Sequence, residues 1–87
     1  MVEKKVYIKN EIGLHARAAS KLLNDAVKYQ SNIELIKGNK KYNAKSIISI
    51  LSICAQKGTE LTLRCEGEDE DIALEKLSNL IENKLDC

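Results

Sequence analysis

The stretch ELTLRCEGEDEDIALEKLSNLI, residues 60–81, contains both of the repeat patterns that decide the fold. Leu61, Leu63 and Cys65 alternate with polar residues, which predicts a strand with one buried face. A glycine ends the strand, and four acidic residues at 68–71 follow, which we interpret as the solvated first turn of a helix. The apolar stripe of that helix comprises Ala73, Leu74, Leu77, Leu80, Ile81 and Leu85.

The same two patterns recur upstream. Residues 2–9 alternate as a first strand. A helix is predicted from Ala16 to about residue 28, and its apolar stripe comprises Ala19, Leu22, Leu23, Ala26 and Val27. Ile33 and Leu35 alternate in a second strand. A third strand is predicted at residues 41–44, after a two-residue hairpin turn.

These elements predict the order β-α-β-β-α-β-α in a single domain, residues 1–87. One sheet with helices packed on one face is an open two-layer sandwich. The pattern itself leaves the strand order open, because a ferredoxin-like arrangement shares the first six elements.

The isoleucine-rich segment 46–54 is compatible with a strand or a helix. Isoleucine favours strands, but the positions also fall on two helical faces, and Ser46 is a good N-cap residue. We favour the helix, and we expect one apolar face to stay exposed as a docking surface, because so small a domain has little room to bury both. The two faces hold Ile47, Ile48 and Leu51, and Ile50, Ile53 and Cys54.

Charge and hydropathy exclude several classes of function. The formal net charge is +1, too balanced for strong non-specific attraction to nucleic acid or membranes. No apolar run reaches membrane-spanning length, and the first residues do not resemble a signal peptide. We therefore expect a cytoplasmic protein without a membrane or nucleic-acid partner.

The cysteines predict neither a metal site nor a disulfide framework, since there are three of them without Cys-x-x-Cys spacing. We expect Cys54 and Cys65 to be small reduced hydrophobic residues on apolar faces. Cys87, at the end of the sequence, is assigned no function. No cofactor is predicted.

The sharpest chemical signal is the stretch IGLHARAAS, residues 12–20, which contains the only histidine. Gly13 permits a sharp turn, and the alanines that follow are strong helix formers. His15 is therefore predicted at or beside a helix N-cap, where free N–H groups and the helix dipole attract anions. Arg17 adds a positive charge two residues later.

Three chemistries compete for His15. Metal binding requires further ligands, and hydrolytic catalysis requires a nucleophile with its base and orienting group, neither of which the sequence places nearby. A neutral imidazole exists at cellular pH and is a nucleophile towards phosphorus. The backbone amides of Ala16 and Arg17, with the Arg17 guanidinium, would stabilise the resulting anion. The residue types alone are equally compatible with His15 as a mere N-cap and Arg17 as a solvated cation.

The motif Gly13-Leu14-His15-Ala16-Arg17-x-Ala19-Ser20 resembles the phosphocarrier HPr family of the bacterial phosphoenolpyruvate:sugar phosphotransferase system. The segment NAKSI, residues 43–47, resembles the second signature of that family, around a regulatory serine. The resemblance extends over essentially the whole chain.

The resemblance implies a fold and a relay function. The fold is α+β: an open-faced sandwich with an antiparallel four-stranded sheet in the order 1-4-2-3. Phosphorylated Enzyme I would pass a phosphoryl group to Nδ1 of His15, with Arg17 contacting it, and the IIA domains of sugar permeases would receive it. The protein would thus be a monomeric carrier and not an enzyme. The implied docking surface for these partners is Ile47, Ile48 and Leu51.

Ser46 matches the serine that an HPr kinase/phosphatase modifies in many relatives. A phosphate there would stabilise the helix and place negative charge beside the docking surface. The alternative function is a mainly regulatory module, in which phospho-Ser46 binds a catabolite-control transcription regulator. A regulatory paralogue that lacks the histidine is disfavoured because His15 is present. An RNA-binding module is also disfavoured, since Tyr42 is the only aromatic residue near its lysines.

Two residues beside the histidine depart from the family pattern. Ala18 stands where proline is usual, so we expect a looser helix start with activity retained. Ile12 replaces a residue that is commonly small and polar, which removes any hydrogen bond that would orient the imidazole from that position.

Overall fold

A computed structural model describes residues 1–85 of the chain. Its elements follow the predicted order β-α-β-β-α-β-α. The strands are β1 Val2–Tyr7, β2 Asn32–Lys37, β3 Lys40–Asn43 and β4 Glu60–Glu66. The helices are α1 Ala16–Ala26, α2 Ile47–Ser52 and α3 Glu70–Asn83.

The four strands form one antiparallel sheet in the order β1-β4-β2-β3. This order confirms the α+β open-faced sandwich and differs from the ferredoxin-like alternative. Leu63, in the central strand β4, lies opposite Leu35 of β2, and Leu61 lies opposite Val6 of β1. The registers therefore align the apolar residues of three strands on one face, which the helices cover.

The core lies between this face and the helices. α1 contributes Ala18, Ala19 and Leu22, all of which are buried. The apolar stripe of α3 packs beside them, as its spacing predicts. The last member of that stripe, Leu85, lies beyond the end of α3 but is buried too.

α1 is shorter than the sequence pattern predicts. It ends at Ala26, because Lys28 N–H bonds to Asp25 O and Tyr29 N–H bonds to Ala26 O, so the chain tightens into i→i−3 turns. Val27, which the spacing places on the apolar stripe, is 55% exposed. The prediction for Val27 was wrong because Val27 is the C-cap residue at the edge of the stripe, one turn after the half-buried Leu23, and its side chain stays in solvent.

Segment 46–54 contains the predicted short helix. The Ser46 hydroxyl accepts a hydrogen bond from Ser49 N–H (3.3 Å), the arrangement of an N-cap. Ile50 faces the core. Ile48 and Leu51 are 75% and 38% exposed, so one apolar face is indeed open to solvent.

The two cysteines in the described residues differ from each other. Cys65 is buried in β4, and burial raises the pKa of its thiol to about 11, so it stays a reduced apolar residue as predicted. Cys54 is exposed, against the prediction. Its φ of +54° makes it the one non-glycine residue in 1–85 with positive φ, and this reversal directs Ala55 into the core instead. Cys87 lies outside the described residues.

The acidic residues Asp69 and Glu70 at the start of α3 bind other parts of the protein. The Asp69 carboxylate accepts hydrogen bonds from Gln30 N–H (2.9 Å), Ser31 N–H (3.0 Å) and the Ser31 hydroxyl. Glu70 binds the amino group of Met1 (3.1 Å) and accepts from Gly67 N–H (3.1 Å). The interpretation of these acids as a solvated turn was therefore incomplete, because it missed their partners 38 and 69 residues away.

Candidate functional site

The candidate site is the N-terminus of α1, where His15 occupies the N-cap position. His15 has extended backbone angles (φ −84°, ψ −178°) and a half-buried side chain. The first i→i−4 hydrogen bond of the helix runs from Ala19 N–H to His15 O (2.8 Å). The predicted N-cap position of the histidine is confirmed.

The loop before His15 is fixed against the segment that follows α2. Leu14 N–H donates to Ala55 O (2.9 Å). Gly13 has φ +83°, and a Cβ on it would lie 2.6 Å from Ala55 O and 3.0 Å from the Cα of Gln56. Only glycine fits this position without displacing backbone, so the direction in which the chain enters α1 is closely determined.

Free backbone donors are the main chemical resource of this helix end. The amides of Ala16 and Arg17 precede the first i→i−4 bond of α1, and both residues are exposed. The first turn of α1, all of it within the described chain, contains no acidic residue, and the His15 side chain does not cap it. The positive end of the helix dipole is therefore open to an anion.

Arg17 is exposed, and within residues 1–85 no carboxylate lies within ion-pair distance of it. Its guanidinium is therefore available to an anion in front of the helix. The structure places Arg17 next to the open amides, as the sequence predicts. Its contact with a phosphoryl group stays a prediction.

Ile12 lies at the rim of the site, 77% exposed. The neighbouring Glu11 forms an ion pair with Lys57 (2.7 Å), and the hydrogen bond and charge of Lys57 lower the pKa of the Glu11 carboxyl. This pair ties the loop to the segment after α2 a second time. The exposed isoleucine adds apolar surface to the loop before His15.

Asn10 is the residue of this loop that sequence reasoning missed. It is only 3% exposed, and its Nδ2 donates to Gly13 O. The sequence placed it in a turn, where asparagine is common, and contained no signal of its burial. Its side chain supplies a buried hydrogen bond inside the loop, a feature that Ile12 is chemically unable to provide.

Ser46 and the predicted docking residues belong to α2 and its N-cap, and the segment after this helix holds the His15 loop. α2 packs against α1. Shortly after α2 ends, the chain reaches Ala55, whose carbonyl accepts the Leu14 N–H and so holds the His15 loop. Ile48 and Leu51 are exposed, whereas Ile47 is half-buried and packs against the core. The apolar surface available to a partner is thus mainly Ile48 and Leu51.

Metal-ligand clusters and membrane-spanning helices are both absent from the described part of the chain. Among residues 1–85, no three His, Cys, Asp or Glu side chains are grouped closely enough to hold a metal ion. In the same range no helix is both long enough and apolar enough to span a membrane.

Comparisons with known proteins show the family of the chain. Residues 2–83 match a family model described as the phosphorylation site of the PTS HPr component. A phosphocarrier protein HPr of Xylella fastidiosa is 42% identical over 84 residues, 97% of this chain and 94% of that protein.

Two solved structures are informative. A crystal structure of HPr from Thermoanaerobacter tengcongensis is 45% identical, with a TM-score of 0.93 and coverage of 98% of this chain and 96% of that one. The Bacillus subtilis catabolite repression protein Crh, described as a dimer with domain swapping, is 43% identical, with a TM-score of 0.76 and coverage of 93% of each chain.

Proposed function

The chain belongs to the HPr family of phosphocarrier proteins of the phosphotransferase system, and we propose that His15 is the group that carries the phosphoryl load. In this proposal His15 accepts a phosphoryl group from phosphorylated Enzyme I and donates it to the IIA domains of sugar permeases. The observation that supports it most is the position of His15 at the N-terminus of a helix whose first turn contains no acidic residue. Because the phosphoryl group leaves with the next partner, the protein is a carrier and not an enzyme.

The transfer step uses few groups. An imidazole nitrogen, Nδ1 by family resemblance, forms a bond to phosphorus while the bond between phosphorus and Enzyme I breaks, and the electron pair of that bond stays with Enzyme I. The product carries negative charge directly in front of α1. The Ala16 and Arg17 amides and the Arg17 guanidinium offset that charge by hydrogen bonding and Coulomb attraction.

The direct experiment is incubation with phosphoenolpyruvate and Enzyme I, followed by mass spectrometry under neutral conditions. We expect one acid-labile phosphate on His15, and none on a His15→Ala variant. A wild-type protein that gains no phosphate, or gains it on another residue, would overturn the proposal.

Ser46 is proposed as a regulatory phosphorylation site for an HPr kinase/phosphatase. Its hydroxyl caps α2, whose exposed Ile48 and Leu51 follow within the next turn and a half, so a phosphate there would add charge near the docking surface. Ser46→Asp should weaken transfer from Enzyme I while the fold remains intact. Ser46→Asn, which also caps helices but is neutral, is the matched control, and equal transfer kinetics for the two variants would reject the idea.

A second candidate function is a mainly regulatory module. The similarity to Crh, whose description mentions catabolite repression, supports it together with the capping position of Ser46. The partner would be a catabolite-control transcription regulator that binds phospho-Ser46. His15→Ala separates the two functions, since it should abolish the relay and leave binding through phospho-Ser46 unchanged.

We propose that the protein is a monomer, because Enzyme I and a IIA domain must each reach the same exposed surface in turn. We also propose that it is located in the cytoplasm. Light scattering of the purified chain tests the first part. A stable dimer of the kind described for Crh would contradict it.

A further inference from the structure

The side chain of Asn10 is buried although only one of its two polar atoms has a hydrogen-bond partner. Its Nδ2 donates to Gly13 O, but its Oδ1 has no hydrogen-bond partner. It is the only buried side-chain nitrogen or oxygen in residues 1–85 of which this is true. Leaving a buried acceptor unpaired costs free energy, which offsets what the hydrogen bond to Gly13 O contributes, so the net contribution of the Asn10 amide to stability is small.

The hydrogen bond that Asn10 does make leads directly to His15. Gly13 O, the acceptor of the Asn10 amide, also accepts the backbone N–H of His15 (3.0 Å). Gly13 N–H in turn donates to the backbone carbonyl of Asn10 (3.1 Å). The peptide group after Gly13 is therefore held by Asn10 on one side and connected to His15 on the other.

No neighbouring side chain in the described loop duplicates this contact. Ile12 is apolar and points into solvent, and Glu11 is engaged with Lys57. The direction of the His15 backbone, and with it the position of the imidazole relative to the Ala16 amide, depends on the Gly13 peptide plane. Displacement of a reacting group by about 1 Å can cost roughly a hundredfold in rate.

We infer that Asn10 is a positioning residue for phosphoryl transfer: its side-chain amide fixes the Gly13 carbonyl and so orients His15. The inference rests on the proposed function of His15 as phosphoryl acceptor. Asn10 thus provides a side-chain hydrogen bond within the loop, which the apolar side chain of Ile12 is unable to provide.

The decisive variant is Asn10→Leu, which keeps the size of the side chain and removes both its amide donor and its unpaired acceptor. We expect the maximal rate of transfer from phosphorylated Enzyme I to fall about tenfold, because the Gly13 carbonyl is released. KM should be unchanged, since Ile48 and Leu51 are untouched. The denaturant midpoint should stay the same or rise. A residue with only a structural role would give the reverse: a lower midpoint and a normal rate.

Two further variants keep the test valid if Asn10→Leu folds poorly. Asn10→Asp keeps the size but has no donor for Gly13 O, so transfer should again slow. Asn10→Ser retains a hydroxyl donor, and serine hydroxyls commonly bond to nearby backbone groups. This variant should therefore transfer the phosphoryl group faster than Asn10→Leu. Ser78→Ala is the matched control: Ser78 is buried, donates to Glu75 O (3.1 Å) and lies on α3, so its removal should leave the rate unchanged.

Hydrogen exchange provides a readout that needs no phosphoryl donor. In Asn10→Leu the His15 amide should exchange at least several-fold faster, while amides in the centre of β4 remain as protected as in the wild type. Normal transfer and normal exchange in Asn10→Leu and Asn10→Asp would overturn the inference. A wild-type chain that takes up no phosphate would instead contradict the proposed function itself.

Discussion

The N-termini of α1 and α3 are built alike but are used differently. Each helix begins after a glycine with positive φ that packs against the backbone of another segment: Gly13 against Ala55, and Gly67 against Ser31. At α3 the chain supplies its own carboxylates, with acidic residues in the first turn. At α1 the first turn, which the structure describes in full, has none.

This difference separates a helix end that serves the fold from one that is open to a ligand. The carboxylates of Asp69 and Glu70 bind the loop before β2 and the amino terminus. They also lie at the positive end of the α3 dipole, which is therefore already compensated within the protein. Within residues 1–85 the first amides of α1 have no such partner, so they remain available to an external anion. The open end of α1 therefore supports the proposed phosphate site independently of the histidine.

The greatest loss of transfer should come from giving α1 the acid that α3 already has. Ala16→Glu places a carboxylate at the first position of the helix, where it competes with a phosphoryl group for the amides and repels it. We expect phosphorylation of His15 to slow about a hundredfold, measured by single-turnover transfer from Enzyme I. The helix should be stabilised by about 0.3–1 kcal/mol, so slow transfer would not reflect unfolding.

The control for this variant is Asn24→Glu, which adds the same charge to an exposed position in the last turn of α1. Its transfer rate should remain within a few-fold of the wild type. Equal slowing of both variants would mean that net charge matters and the open N-terminus does not.

The next effect distinguishes the two glycines. A Cβ at Gly67 would lie 2.7 Å from both Cα and Oγ of Ser31. Gly67→Ala should therefore lower the free energy of unfolding by about 2 kcal/mol and leave the transfer rate of the folded protein normal. Gly13→Ala should destabilise to a similar extent and slow transfer as well. Denaturant unfolding and transfer assays on both variants test this; a slow Gly67→Ala protein would break the distinction.

Much of the fold could be predicted because the relevant patterns are local. The alternation in residues 60–66 and the stripe in α3 each report burial within a few residues of sequence. The short helix α2 was ambiguous because six residues give little periodicity. The positive φ of Cys54 was not predictable, since it depends on how the chain leaves α2 for the core.

The site was predictable in part. Gly13, His15 and the alanines that follow are close together in the sequence, so their local preferences suffice to predict a helix N-terminus at the histidine. The burial of Asn10 was missed because it depends on tertiary packing around the loop. The contact of Asp69 with Ser31 was missed for the same reason, since it joins loops 38 residues apart.

A smaller effect concerns pH. Hydrogen bonds from the Ser31 hydroxyl and the Gln30 amide lower the pKa of the Asp69 carboxyl below its usual value. A depressed folded-state pKa gives stability that is present above the unfolded pKa, about 4, and is lost as pH falls through the folded value. Asp69→Asn should be less stable at neutral pH and lose less stability on acidification below about pH 4. Acid titration followed by circular dichroism measures this, and an unchanged acid profile would contradict it.

The smallest effect is at Ala18. Its amide also precedes the first i→i−4 bond of α1, so proline removes no helical hydrogen bond there. Ala18→Pro should raise the free energy of unfolding by roughly 0.4–1 kcal/mol by restricting the unfolded chain. Transfer should continue at the wild-type rate if the Ala16 and Arg17 amides are the ones that hold the phosphate. A marked loss of transfer would assign a role to the third amide.

The phosphoryl group on His15 should lie against the open end of α1. The most direct test compares amide ¹H–¹⁵N spectra of the protein before and after phosphorylation by Enzyme I and phosphoenolpyruvate. We predict that the largest downfield shifts occur at Ala16 and Arg17 and that the amides of Glu70 and Asp71, at the compensated end of α3, do not move. Unshifted Ala16 and Arg17 amides in the phosphorylated protein, or equal shifts at both helices, would contradict this position of the phosphoryl group.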